Sequence, residues 1–195
     1  MALLSASRLP VGPYQANCFL VSRDSEAACL VVDPGAEPER ILGEIAARML
    51  EPSAILVTHG HVDHVGGVAS VAAATGARVY MPAGEADRLE SPPDVALEGT
   101  EELQIGPFAI RVLAVPGHSP AHVAYLVEDM LLVGDVLFAG SVGRTDLEGS
   151  DPHALDRSLT MLATLPPATR VLPGHGPETT IAREIATNPF LAALR

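Results

Sequence analysis

Thr58-His59-Gly60-His61-Val62-Asp63-His64 puts three histidines and an aspartate within six residues, directly after the apolar run Ala54-Ile55-Leu56-Val57. The run reads as a buried strand that ends where the cluster begins. Imidazoles and a carboxylate crowded at a strand end need partners once water is removed, because unpaired polar groups are costly to bury. A divalent cation satisfies all of them together, and this donor set suits zinc, iron or manganese. The whole chain holds seven histidines, so the segment carries a large share of them.

Working outward, the N-terminal third reads as strands over 3–8, 18–22 and 28–32, with a hairpin loop over 22–26. Asp33-Pro34-Gly35 ends the third strand with turn chemistry. Apolar residues at Ile41, Leu42, Ile45, Ala46 and Met49 predict an amphipathic helix over 38–49. After the strand over 54–57 and the cluster come a small-residue helix over 65–75, a strand over 78–81 and a short helix over 85–89. Residues 91–99, with Pro92-Pro93, read as loop. Strands follow over 103–105, 108–115, 122–127 and 130–133. A helix over 153–165 has Asp151 as N-cap and Pro152 at its first position. A strand over 170–172 and a helix over 179–186 complete the chain. Strand groups in both halves, each followed by helices, fit an α/β sandwich of αββα layering: two mixed sheets with helices on the outer faces. Composition alone does not separate this from other layered α/β folds.

The bulk numbers bound the function. A chain of 195 residues, 48% hydrophobic, is expected to form one domain over 1–195 with a large core. The formal net charge of −12 argues against a nucleic-acid partner. All twelve basic residues are arginine, which excludes lysine Schiff-base chemistry and a P-loop lysine. Cys18 and Cys29 lie in apolar surroundings without a CxxC spacing and read as buried, reduced thiols. With no signal-peptide pattern and no apolar run near ~18 residues, a cytoplasmic protein without a membrane span is the expectation.

Three more candidate ligands stand at predicted strand ends, each directly after a glycine: His118 after Val115-Pro116-Gly117, Asp135 after Leu132-Val133-Gly134, and His175 after Leu172-Pro173-Gly174. A lone histidine is more often structural, but three such placements beside the dense cluster favour ligands. Taken in order, HxHxDH, GHS, GD and PGHG resemble the metallo-β-lactamase superfamily across nearly the whole chain. Within it the sequence resembles the hydroxyacylglutathione hydrolases (glyoxalase II), in particular the short bacterial type. Gln15-Ala16-Asn17-Cys18, Asp33-Pro34-Gly35, Pro116-Gly117-His118-Ser119-Pro120, Gly134-Asp135-Val136-Leu137-Phe138, Gly143-Arg144-Thr145-Asp146 and Pro173-Gly174-His175-Gly176-Pro177 carry the likeness.

The resemblance implies two divalent metal ions, zinc first, with iron or manganese as alternatives. It puts His59, His61 and His118 on one metal, Asp63, His64 and His175 on the second, and Asp135 between them. Two cations about 3.5–4 Å apart share a water and lower its pKa, so that a bridging hydroxide attacks a thioester carbonyl. Asp63 would orient that nucleophile and relay its proton, which is the catalytic role assigned here. The implied substrate is a small-molecule thioester of glutathione or another low-molecular-weight thiol. Arg144 matches a position where relatives carry a basic residue by the thiol carrier, and reads either as a contact to a substrate carboxylate or as one half of a loop-fixing salt bridge. His122 is expected to support the ligands or the fold, and His153 to be exposed and inert. Long glyoxalase II forms add a C-terminal helical domain that grips glutathione; here a single helix follows His175, so no such separate domain is expected. The loop after Gly143 also lacks the tyrosine of the long forms, which implies a more open, less glutathione-specific pocket.

Two other classes compete. A mononuclear iron persulfide dioxygenase acting on glutathione persulfide would use His59, His118 and Asp135, and shares Gly143-Arg144-Thr145-Asp146; the Pro173–Pro177 loop looks more like the hydrolase branch. A purely structural metal staple would favour four closed, cysteine-rich ligands, which this set is not. A β-lactamase is conceivable on fold grounds, since fold does not fix substrate.

Overall fold

Alternation along the central strands decides the layering. In β3 (Ala28–Val32), Leu30 and Val32 join one buried cluster while Val31 joins another. In β4 (Glu51–Leu56), Ala54 and Leu56 share the first cluster and Ile55 the second. Successive side chains of a strand point to opposite faces, so a strand that is apolar throughout must be covered on both. The computed structural model describes residues 3–24 and 26–194.

The first sheet has the order β1 (Leu4–Val11), β2 (Ala16–Arg23), β3, β4, β5 (Arg78–Pro82), β6 (Val95–Leu97). Its first two pairings are antiparallel and the rest parallel. The second sheet has the order β14 (Thr179–Thr180), β13 (Arg170–Pro173), β10 (Met130–Gly134), β9 (Val123–Val127), β8 (Phe108–Ala114), β7 (Glu102–Ile105), with β10 and β13 parallel. A small hairpin joins β11 (Leu137–Phe138) to β12 (Ser141–Val142).

Three buried clusters define four layers. Phe19, Leu30 and Leu56 of the first sheet meet Phe108, Tyr125 and Leu132 of the second in the central one. α1 (Pro38–Ala47) and α3 (Val68–Thr75) cover the outer face of the first sheet through Ile41, Ile45, Val68 and Val71. α4 (Pro152–Leu162), α5 (Ile181–Thr187) and α6 (Pro189–Ala192) cover the second through Leu155, Leu159, Leu162, Ile181 and Leu191. This is the expected αββα sandwich of two mixed sheets. Among the described residues no helix is long and apolar enough to cross a membrane. Cys18 and Cys29 are free and buried, as read, and burial pushes the Cys29 thiol up to about 12.

Several boundaries differ from the sequence reading. The helix expected over 65–75 is two: α2 (Val62–Val65), which carries Asp63 and His64, and α3, separated at Gly66-Gly67. There Gly67 donates to the Pro34 carbonyl, and a Cβ at Gly66 would collide with the Gly35 carbonyl. The 91–99 loop contains β6, which pairs with β5 from Tyr80↔Val95 onward. The short helix expected over 85–89 is a 3-10 turn over Ala83–Arg88. The 179–186 helix begins as β14 and is followed by α6. Ser25, in the expected hairpin loop, lies outside the described residues. Asp151 caps α4 as expected, accepting from the backbone N–H of His153 and Ala154.

The two sheets are stitched where β4 ends. The buried Tyr125 hydroxyl donates to the Val57 carbonyl (2.7 Å), and Val123 N–H donates to the Thr58 carbonyl (2.9 Å). Replacing Tyr125 with Phe removes one of these ties and should lower unfolding free energy by about 1–2 kcal/mol in urea titrations, the net worth of a buried hydrogen bond.

Candidate metal centre

Hydrogen bonds fix the ring tautomers of His64, His59 and His118 in turn and aim their free nitrogens at a common space. Asp33 sits just past β3 in the left-handed region (φ 49) and is buried. Its carboxylate accepts from Thr58 N–H (2.8 Å), from the Thr58 hydroxyl (2.7 Å) and from His64 Nδ1 (3.0 Å). A carboxylate only accepts, so His64 carries a hydrogen on Nδ1 and turns Nε2 inward. Because the Thr58 hydroxyl donates to Asp33, it accepts from His59 Nδ1 (3.0 Å) and turns His59 Nε2 inward as well. His118 Nδ1 donates to the Arg144 carbonyl (2.9 Å), which orients its Nε2 in the same way. His61 Nδ1 then lies 3.0 Å from His59 Nε2 and 2.9 Å from His118 Nε2. One hydrogen on His61 cannot serve two lone pairs at once, whereas a cation among the three nitrogens can.

Asp135 leaves β10 after Gly134, whose φ of 50 favours glycine and where a Cβ would strike Thr58 and His122. Its Oδ2 is 3.6 Å from His118 Nε2 and 3.4 Å from His175 Nε2, and its Oδ1 is 3.5 Å from His64 Nε2. His175 Nε2 is also 3.3 Å from Asp63 Oδ2, and His64 Nε2 is 3.8 Å from the same oxygen. The donor atoms of His59-His61-His118, of His59-His64-Asp135 and of Asp63-His64-His175 each lie within 4.8 Å of one another. Two atoms buried in the middle, His64 Nε2 and Asp135 Oδ1, have no hydrogen-bond partner. Buried polar atoms are almost always satisfied. Orphaned atoms at the centre of a histidine–carboxylate set therefore fit divalent cations. A Cβ at Gly174 would collide with Asp135 Oδ1 and the His64 ring, so the backbone is cleared around the same space.

Charge follows the same logic. Burial and the neighbouring imidazoles hold His59 well below its ordinary value, and burial with His118 lowers His61. Burial opposes a charged His64, yet Asp135 and Asp33 outweigh it and hold His64 well above the usual range. Hydrogen bonds to Asp135 and Asp63 push His175 up to about 9. Burial alone would raise Asp135 and Asp63, but His64 and His175 keep Asp135 well below the carboxylate range, and His175 with His64 lowers Asp63. In the metal-free chain two protonated imidazoles thus balance two carboxylates, a place that divalent cations take with release of protons.

All the sequence-predicted donors, His59, His61, Asp63, His64, His118, Asp135 and His175, come together at one end of the two sheets. Arg144 stands at the rim, with its side chain held by Asp146. His153 is exposed, as expected. His122 is buried behind the cluster: its Nε2 accepts from Asp135 N–H (3.1 Å), and burial drives it down to about 3.

Three supporting residues had no role in the sequence reading. Asp33 read as a turn residue. Glu85, buried, accepts from Gly60 N–H (2.6 Å), the Ser119 hydroxyl (2.6 Å) and Ala121 N–H (3.0 Å), tying the loop of His59 and His61 to that of His118. Asn17 donates from Nδ2 to the carbonyls of Pro173 and Gly176 (2.9 Å each), and from its backbone to Gly174 (2.7 Å), fixing the His175 loop to β2. For Asp33 and Asn17 the only signal was their place in motifs of the resemblance; Glu85 had none.

The fold and these converging donors define a hydrolase-type, metal-binding α/β enzyme. A family model described as the metallo-beta-lactamase superfamily matches residues 11–175, and the chain belongs to that superfamily, whose members bind metal ions. It is 43% identical to the Bacillus subtilis (strain 168) protein named "Probable metallo-hydrolase YqgX", covering 94% of this chain and 96% of that one. It is 34% identical to the hydroxyacylglutathione hydrolase GloC of Haemophilus influenzae, covering 94% and 96%. Among solved structures it is similar to the BLEG-1 B3 metallo-beta-lactamase (36% identity, TM-score 0.93, 96% and 99% covered). It is similar also to TTHA1623 in a di-iron-bound form (41% identity, TM-score 0.82, 95% and 100% covered).

Two outcomes follow for the isolated chain. Asp33→Ala should weaken metal binding about 10–100-fold in chelator competition, since it frees His64 and Thr58 to turn. In chelator-treated protein, the raised His64 and His175 stabilise fully below the unfolded value of 6.5, and His175 stops stabilising as pH passes about 9. The lowered Asp63 and Asp135 stabilise above 3.8 and cease to do so under acid. Thermal melts of the metal-free chain should therefore peak between these limits and fall toward pH 9. A flat profile from pH 6 to 9 would contradict the charge assignment.

Proposed function

We propose that the chain, read as one metallo-β-lactamase domain over residues 1–195, is a binuclear metal-dependent hydrolase of S-acyl thiol conjugates of the S-2-hydroxyacylglutathione type. The observation that carries the reading is the central place of Asp135, whose Oδ2 lies 3.6 Å from His118 Nε2 and 3.4 Å from His175 Nε2 and whose Oδ1 lies 3.5 Å from His64 Nε2. On this reading His59, His61 and His118 hold one cation, Asp63, His64 and His175 the other, and Asp135 both. Zinc is the first expectation, with the di-iron form of TTHA1623 keeping iron in view. When bound, the cations would activate a water at neutral pH and polarise the substrate carbonyl.

The chain's own residues do the rest. Asp63 is partly exposed to the cleft beside the cluster and on this reading would orient the attacking water and accept its proton. Asp33, Thr58 and the Arg144 carbonyl fix the imidazoles, so no reorganisation is needed as charge develops. The cleft, about 640 Å³, is walled by Tyr14, Val62, Phe138, Val142 and Leu147, an apolar surface against which an acyl group would seat. A thiol leaving group requires little acid assistance, because a thiolate is a stable anion near neutral pH. The substrate would be a thioester of glutathione or of another low-molecular-weight thiol.

The test pairs metal analysis with turnover. Protein loaded with two equivalents should hydrolyse S-lactoylglutathione and related thioesters, and Asp63→Asn should lower kcat about 10²–10⁴-fold with a smaller change in KM. His61→Ala should abolish turnover while the chain still folds. Hydrolysis of a β-lactam in place of thioesters would overturn the reading. So would one iron per chain with oxygen uptake on glutathione persulfide.

A further inference from the structure

Outside the donor cluster, Arg144 is the one charged side chain lining the cleft among the described residues; its neighbours on the wall are the apolar Phe138, Val142 and Leu147. Its backbone is pinned to the site, because its carbonyl accepts from His118 Nδ1 (2.9 Å). Its guanidinium is already taken: Nε and a terminal nitrogen meet the two oxygens of Asp146 at 2.6 and 2.7 Å. This is the two-point geometry in which arginine otherwise grips a substrate carboxylate. The pair is solvent-facing, with the side chains 63% and 68% exposed, so it can be competed for and is not a buried brace.

We infer that Asp146, by occupying Arg144, weakens the grip of the cleft on thiol carriers that bear carboxylates and so narrows the difference between them and uncharged thiols. The inference rests on the thioester reading and deepens it. An anionic carrier entering the cleft must displace a carboxylate that is tethered two residues away, at high effective concentration. A neutral carrier meets the apolar wall without that competition. The hydrogen bonds from Arg144 hold the Asp146 carboxyl down at about 2, so the competitor stays charged at any working pH. The chain's net charge of −12 adds a weaker, salt-sensitive bias in the same direction. Asp146 touches no reacting atom in this account; it acts through Arg144 as a positioning residue.

The experiment compares one acyl group on two carriers, S-lactoylglutathione and the uncharged S-lactoyl-N-acetylcysteamine, with the metal-loaded holoenzyme. Asp146→Asn should lower KM for the glutathione thioester about two- to fivefold, the scale of an exposed ion pair. It should leave kcat for that substrate and both constants for the neutral one within error. In the Arg144→Gln/Asp146→Asn double variant the gain should vanish. If KM for both carriers moves together, Asp146 merely shapes the loop and the inference fails. It fails too if the glutathione KM does not change or if the gain survives without Arg144. Turnover of neither carrier by the unsubstituted enzyme would sink the thioester reading itself, and this inference with it.

Discussion

Lone pairs aimed at one another, without hydrogens to share, are the constraint around which this molecule is built. Imidazoles at His59, His61 and His118 and carboxylates at Asp63 and Asp135 are gathered at a largely buried site. Left alone, such a group would spread apart or take up protons, and His64 and His175 show the second response. Holding it together requires rigid support from every side, which the ends of two sheets supply.

The support is mostly backbone. The donors stand on loops that follow strand ends and on the short helix α2, and short bonds fix these segments relative to one another: between the sheets Tyr125 to Val57, Val123 to Thr58 and Asn17 to Gly174, and within the second sheet Gly174 to Gly134. Side chains that accept several hydrogens then set orientation. Asp33 governs His64 and, through Thr58, His59; Glu85 binds two donor-bearing loops to each other. Neither touches the shared space, yet the aim of the ring nitrogens depends on both. The layered apolar clusters beneath make this rigidity affordable, since packed interiors resist the small displacements that would misalign ligands.

Much of this was legible in the residues. Continuous apolar runs such as Ala54-Ile55-Leu56-Val57 announced doubly covered strands, and the spacing of Ile41 and Ile45 announced a helix on the outer face. The donors were legible because glycine-histidine and glycine-aspartate steps after such runs mark places where the chain leaves a sheet. What stayed hidden depends on contacts distant in sequence. β6, β11, β12 and β14 are too short to show a period and exist because a neighbour offers hydrogen bonds. The break at Gly66-Gly67 was masked by small residues that keep the helical pattern running through it. Asp33 and Glu85 look like ordinary turn and helix-start acids until the loops they gather are seen side by side. Arg144 had two readings from sequence, and only coordinates reveal Asp146 on its guanidinium.

The central claim concerns two cations at fixed places, and anomalous diffraction from crystals of the metal-loaded protein tests it most directly. The account predicts two peaks about 3.5–4 Å apart, one within bonding reach of His59, His61 and His118, the other of Asp63, His64 and His175, with Asp135 touching both. A single peak, or a second peak lying away from His175 and Asp63 in fully loaded crystals, would contradict it.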